Sequence, residues 1–222
     1  MNPLGSITFA PDSLFGTALA FFERGGVVMW PLLLCSLIAV AMAIERILHF
    51  WNERVAEALA AKTVGRVLDA LASGRFDEAE TLVAPAPSAS CRILKEGLMQ
   101  RDVALQDSLT AAAEREIASL RQRLSILDTI ITLAPLLGIL GTVTGIIRSF
   151  QLLSTGGIQD PTAVTGGIAE ALITTAAGLI VSICTLIPFN YCASFVRRRT
   201  RDFEQLIHRA VIACERGKAH GA

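Results

Sequence analysis

Three stretches of this chain are almost wholly apolar, and polar sequence in which apolar residues return at helical spacing adjoins them. The first is VVMWPLLLCSLIAVAMAIERILHF at 27–50, the second LSILDTIITLAPLLGILGTVTGIIRSF at 124–150. The third, at 162–193, contains GIAEALITTAAGLIVSICTLIPF. Each exceeds the about 20 mostly apolar residues that a helix needs to cross a bilayer. Residues 51–123 form the one large polar region. Glu53, Arg54, Glu57, Lys62, Arg66 and Asp69 lie on a predicted helix that Ser73-Gly74 ends, and PAPSAS (85–90) reads as a turn or linker. From Asp107, Leu109, Ala112, Ala113, Ile117, Leu120, Leu124 and Leu127 keep helical period into the second span, predicting one continuous helix to Phe150. At 1.5 Å per residue such a helix is ~65 Å long and projects beyond the bilayer. After the third span Phe203, Leu206, Ile207, Ala210, Val211 and Cys214 again keep this period through 194–222. The predicted class is an all-α membrane protein: three transmembrane helices, the second and third extended into the cytoplasm, with additional cytoplasmic helices.

Composition agrees: 52% of the 222 residues are hydrophobic, too apolar for an ordinary soluble domain. The net charge of zero gives no bulk attraction to nucleic acid. Cys35, Cys91, Cys184, Cys192 and Cys214 are scattered without metal-ligand spacing, so neither a disulfide framework nor a metal site is expected. Nor is a cofactor. Residues 52–123 hold no nucleophile–base pair, phosphate loop or metal cluster, which argues against an enzyme. In the N-terminal segment, 1–26, Asp12 or Ser13 can cap a short interfacial helix carrying Leu14, Phe15, Ala18, Leu19 and Phe22; a tail without structure is the alternative.

Basic residues set the expected topology. Arg46 and Arg54, Arg121 and Arg123, and the cluster Arg197, Arg198, Arg199 and Arg201 flank one end of the spans; the other end has Arg24 and Arg148. The N-terminus and the short 151–161 turn are therefore expected outside, the middle domain and C-terminal tail inside. Directly after a span, the arginine cluster reads as an anchor to lipid headgroups. Trp30 and Trp51 suit the two interfacial belts, and Pro31 the start of the first helix.

The chemistry converges on the third span. Glu170 is the one carboxylate in the middle of any span, and Thr174 and Thr175 follow it. An acidic side chain there costs roughly 2.5–3.5 kcal/mol on insertion scales, so it rarely faces lipid. Counting from the turn, Thr142 lies ~9 Å below Arg148 and Glu170 ~12 Å below Thr162, so the two can share a depth. Thr174 is one turn on from Glu170, and Thr175 is about 140° around from it, which makes an arc of polar groups. A desolvated carboxyl is a candidate for reversible protonation. The other reading is that the threonines bond back to their own helix and Glu170 joins two helices. A single carboxylate is an incomplete relay, so a second titrating group would have to come from another chain. Gly138, Gly141 and Gly145 on one side of the second span, and Gly178 in the third, are candidate packing positions. Pro135 and Pro188 are candidate kinks.

These residues resemble the ExbB/TolQ/MotA family of inner-membrane ion-driven motor subunits, in its three-span ExbB/TolQ branch. The resemblance rests on APLLGILGTVTGIIRSF (134–150) and GIAEALITTAAGLIVSI (167–183), in the family's order, with a short turn between them and a large inner loop before. It implies a homo-oligomer, a pentamer, around a pair of ExbD/TolR-like single-span partners whose membrane aspartate is the missing titrating group. It implies pore-facing roles for Thr142 and Thr175 and matches the family's third-span glutamate to Glu170. Proton passage would then drive a TonB- or TolA-like protein, in TonB-dependent transport or the Tol-Pal system of the bacterial inner membrane. The family's third span usually carries a proline where Cys184 stands; here Pro188 follows one turn later. Arg148 is another departure, read as an outer-interface anchor. The competing function is a structural membrane scaffold that conducts nothing.

Overall fold

The computed structural model describes residue 22 and residues 25–85, 88–156 and 161–220. Most of the expected interfacial helix near the N-terminus, residues 86–87 of the linker and the centre of the turn between the second and third spans lie outside the described residues. The helices are α1 (Met29–Ala72), α2 (Phe76–Val83), α3 (Ala89–Met99), α4 (Arg101–Arg121), α5 (Leu124–Gly156) and α6 (Pro161–His220), with no strand among the described residues. Three helical stretches are long and apolar enough to cross a membrane: Met29–Ala72, Val103–Gln151 and Thr165–Ala219. The protein is an all-α, multi-pass membrane protein.

Helix boundaries differ from the sequence expectation at three places. The polar helix of 53–69 is the unbroken continuation of the first span in α1, because neither glycine nor proline stands at the join between them. The helix expected from Asp107 to Phe150 is divided at Gln122–Arg123 into α4 and α5. Gln122 stays in the right-handed helical region and its N–H still reaches the Ala118 carbonyl, at 3.0 Å. Leu120, Leu124 and Leu127 are all buried across this join, so the apolar period carries no mark of it. Around the turn, α5 runs on to Gly156 and α6 starts at Pro161, since proline's fixed φ and missing N–H suit a first helical position.

The chain divides into two compact units. One comprises the described residues up to Ala41 together with Leu127–Ile187, the other Met42–Ile126 together with the described residues from Pro188. In the second, Val67, Leu68 and Leu71 of α1, Ile93, Leu94 and Leu98 of α3, Leu109 of α4, and Phe203 and Leu206 of α6 share one core. Helix α1 ends where Gly74 takes φ +73°, with Arg75 N–H bonded to the Ala70 carbonyl at 2.9 Å and Gly74 N–H to that of Leu71 at 3.1 Å. Helix α3 is capped by Ser88 and by the Glu57 carboxylate, which accepts from Ser90 N–H at 2.9 Å. Phe50 and Phe195 stack with centroids 4.4 Å apart, and Arg92 makes a two-pronged pair with Glu116, both bonds 2.7 Å. That pairing, above all its hydrogen bond, raises the pKa of the Arg92 guanidinium further. In the first unit the start of α1 lays Met29 and Leu32 on Ala134, with Leu137, Ala177 and Val181 around them.

Candidate functional site

The first unit is built on a seam of small residues. Its buried positions include Ala134, Gly138, Gly141, Gly145 and Ser149 on α5, and Gly167, Ala171, Thr174 and Gly178 on α6. Their spacings of three and four place each set on one helix face. A methyl group added to Gly138 would lie 3.1 Å from both the Thr174 carbonyl oxygen and the Thr175 Cα; on Gly141, 2.5 Å from the Thr174 Cβ; on Gly145, 2.9 Å from the Gly167 carbonyl oxygen; and on Gly178, 2.5 Å from that of Ala134. The approaches at Gly138, Gly145 and Gly178 are to backbone, which cannot swing away; at Gly141 the approach is to the Thr174 side chain. In hydrocarbon, where water drives no association between helices, such contact is the attraction itself.

Thr174 is 1% exposed, fills the hollow at Gly141, and donates to the carbonyls of Ala171 (2.9 Å) and Glu170 (3.2 Å). Thr175, half-buried, donates across the seam to the Gly138 carbonyl at 3.1 Å and to its own Ala171 at 3.3 Å. Thr142, also half-buried, donates to Ile139 at 2.6 Å and reaches the same Gly138 carbonyl at 3.5 Å. The two threonines thus meet at one carbonyl oxygen.

Glu170 sits at the edge of the seam with 22% of its side chain exposed. Its carboxyl lies against Gly26, where φ is +66° and an added Cβ would come within 2.7 Å of the carboxyl carbon. Arg148 Nη1 is 3.5 Å from Glu170 Oε2. The register opposes Gly141 to Thr174, so Thr142 and Glu170 differ in depth by about 4–5 Å, most of a turn, rather than sharing a level.

Pro135 and Pro188 stand inside helices that continue through them. Lacking an N–H, Pro135 leaves the Ile131 carbonyl without its helical donor. Ser182 supplies one, its hydroxyl 2.7 Å from that oxygen. Sequence reasoning passed over Ser182, although it lies seven residues after Thr175 on the same face, and the proline marks which carbonyl is left over. Ala134, Ser149 and Ala171 were passed over too; their signal is that they extend the glycine spacing.

A sequence model of the MotA/TolQ/ExbB proton channel family matches residues 86–205, a span that takes in the whole seam. The chain is 38% identical over 221 residues to the ExbB-like protein 1 of Synechocystis sp., whose name places it in biopolymer transport; the match covers 92% of this chain and 86% of that protein. It is 39% identical over 96 residues to the biopolymer transport protein ExbB of Aquifex aeolicus, covering 43% and 63%. With the Tol-Pal system protein TolQ of Haemophilus influenzae it shares 36% over 100 residues, covering 45% and 44%.

Proposed function

This chain belongs to the MotA/TolQ/ExbB proton channel family, and from that premise we propose that it is the ring-forming subunit of a proton-driven motor. In this reading copies of the chain, five in number, surround ExbD/TolR-like single-span partners in a bacterial inner membrane. The N-terminus lies outside and the C-terminus inside. Protons pass between the Glu170 region and the partner's membrane aspartate, and the motion drives a TonB- or TolA-like protein. The chain acts as a channel subunit and not as an enzyme.

The observation that carries the reading is the placing of Glu170. It is half-buried at the edge of a tightly packed helix pair, where a carboxyl is shielded from lipid yet open to a neighbour. Thr142 and Thr175, likewise half-buried, extend the polar surface away from it. Exposed Leu136, Ile139, Leu140 and Val143 of α5, and Leu172, Leu179, Ile180 and Ile183 of α6, offer the apolar faces that lipid and neighbouring copies need.

A second reading, a scaffold that conducts nothing, draws on the hydroxyls: Thr142, Thr174 and Thr175 all donate to main-chain carbonyls. Proton uptake into liposomes holding the chain with its co-purified partner separates the two. Conduction predicts flux that falls in Glu170→Gln and Thr175→Val at equal assembly. Absent flux, or flux unchanged in both variants, leaves the scaffold.

A further inference from the structure

We propose that Arg148 is a positioning residue for Glu170: its guanidinium, reaching from the C-terminal half of α5, holds the α6 carboxylate against the backbone at Gly26, so that a proton arriving at Glu170 displaces an ion pair. Among the described residues of the first unit the charged side chains are Asp128, Arg148 and Glu170. Asp128 lies twenty residues before Arg148, roughly 30 Å along the helix. Arg148 and Glu170 are thus the opposite charges of one region, and they stand 3.5 Å apart.

The surroundings leave the carboxyl little choice of direction. Gly26 closes one side of it, and the positive φ there is one that a side chain rarely adopts. The described elements packed around it, the start of α1 and the facing stretch of α5, bring no other charged group. Thr174 and Thr175 send their hydroxyls to carbonyls instead. Arg148 keeps 61% of its side chain exposed while its guanidinium reaches the carboxylate. A guanidinium serving only as an interfacial anchor would have no reason to fall within ion-pair range of the one carboxylate of the third span.

The inference takes its meaning for transport from the conducting role proposed above, but its test does not depend on that role. Dicyclohexylcarbodiimide reacts with an accessible carboxyl within a membrane, and a guanidinium seated 3.5 Å from the Glu170 carboxylate stands in its way. In the complex with the co-purified partner in liposomes, adduct formation on Glu170 is read by mass spectrometry. Arg148→Gln is expected to raise it clearly above the wild-type level, while Arg148→Lys, which keeps a cation within reach, stays near wild type. Equal labelling in wild type and Arg148→Gln overturns the proposal. Phenylglyoxal treatment after assembly removes the contact without a folding step. Because it modifies other exposed arginines too, it is run on wild type and Arg148→Gln in parallel, and adduct formation on Glu170 should rise in wild type alone. Raised labelling in a complex that moves no protons keeps the pair and discards conduction. Glu170-dependent flux with labelling indifferent to Arg148 does the reverse.

Discussion

Ser182 donates its hydroxyl to the carbonyl oxygen of Ile131 at 2.7 Å, the oxygen that Pro135 leaves without a helical partner. A proline that weakens one helix therefore ties it to the next. Ser182→Ala is expected to lower stability by about 1 kcal/mol, the scale of hydrogen bonds between membrane helices. With Pro135→Ala present, the restored N–H serves Ile131 and the cost of Ser182→Ala shrinks. Thermal unfolding in detergent of the four proteins checks this; equal costs in both backgrounds would show that Ser182 does not serve that carbonyl.

Glycines in this chain differ in what surrounds them. Gly138→Ala drives a methyl to 3.1 Å from the facing backbone and should destabilise the first unit by about 1–3 kcal/mol, as overpacking does. Gly65, in α1, has nothing within 4 Å of an added methyl. Gly65→Ala should stabilise by about 0.4–1 kcal/mol through lost freedom of the unfolded chain. Melting temperatures moving in opposite directions are the expected result, and a shared direction would contradict the seam.

Adjacent threonines should separate in the same way. Thr175→Val removes a bond that crosses to Gly138, with an expected loss of about 0.6–1.7 kcal/mol. Thr174→Val removes only bonds within α6 and keeps the volume that fills the hollow at Gly141. Its effect on unfolding should be the smaller. The reverse order would mean that Thr174 holds a partner outside its own helix.

In the second unit Gly74→Ala forces a left-handed conformation on a residue with a Cβ, at a cost of about 1–2 kcal/mol. The added methyl also lies 3.1 Å from the Gly217 carbonyl oxygen. Gly74→Asn should cost less, because asparagine tolerates this conformation. Limited proteolysis near residue 74 and thermal unfolding report on both, and equal behaviour would remove the backbone argument.

The sequence alone determined the parts that belong to a single helix. Span length, the three-and-four spacing of Gly138, Gly141 and Gly145, and a lone carboxyl among apolar residues are all visible in one strand of text. Each follows from burial or from helical pitch acting on neighbours in the chain. The break at Gln122–Arg123 escaped this logic because Leu120, Leu124 and Leu127 stay buried across it and the apolar period is intact. Register was equally out of reach. That Gly141 faces Thr174, that Thr175 meets Thr142 at the Gly138 carbonyl, and that Arg148 comes within 3.5 Å of Glu170 depend on how two helices slide along each other. Only the tertiary structure decides that slide, because backbone contact between small residues rewards one register, and the spacing within either helix is the same in every other.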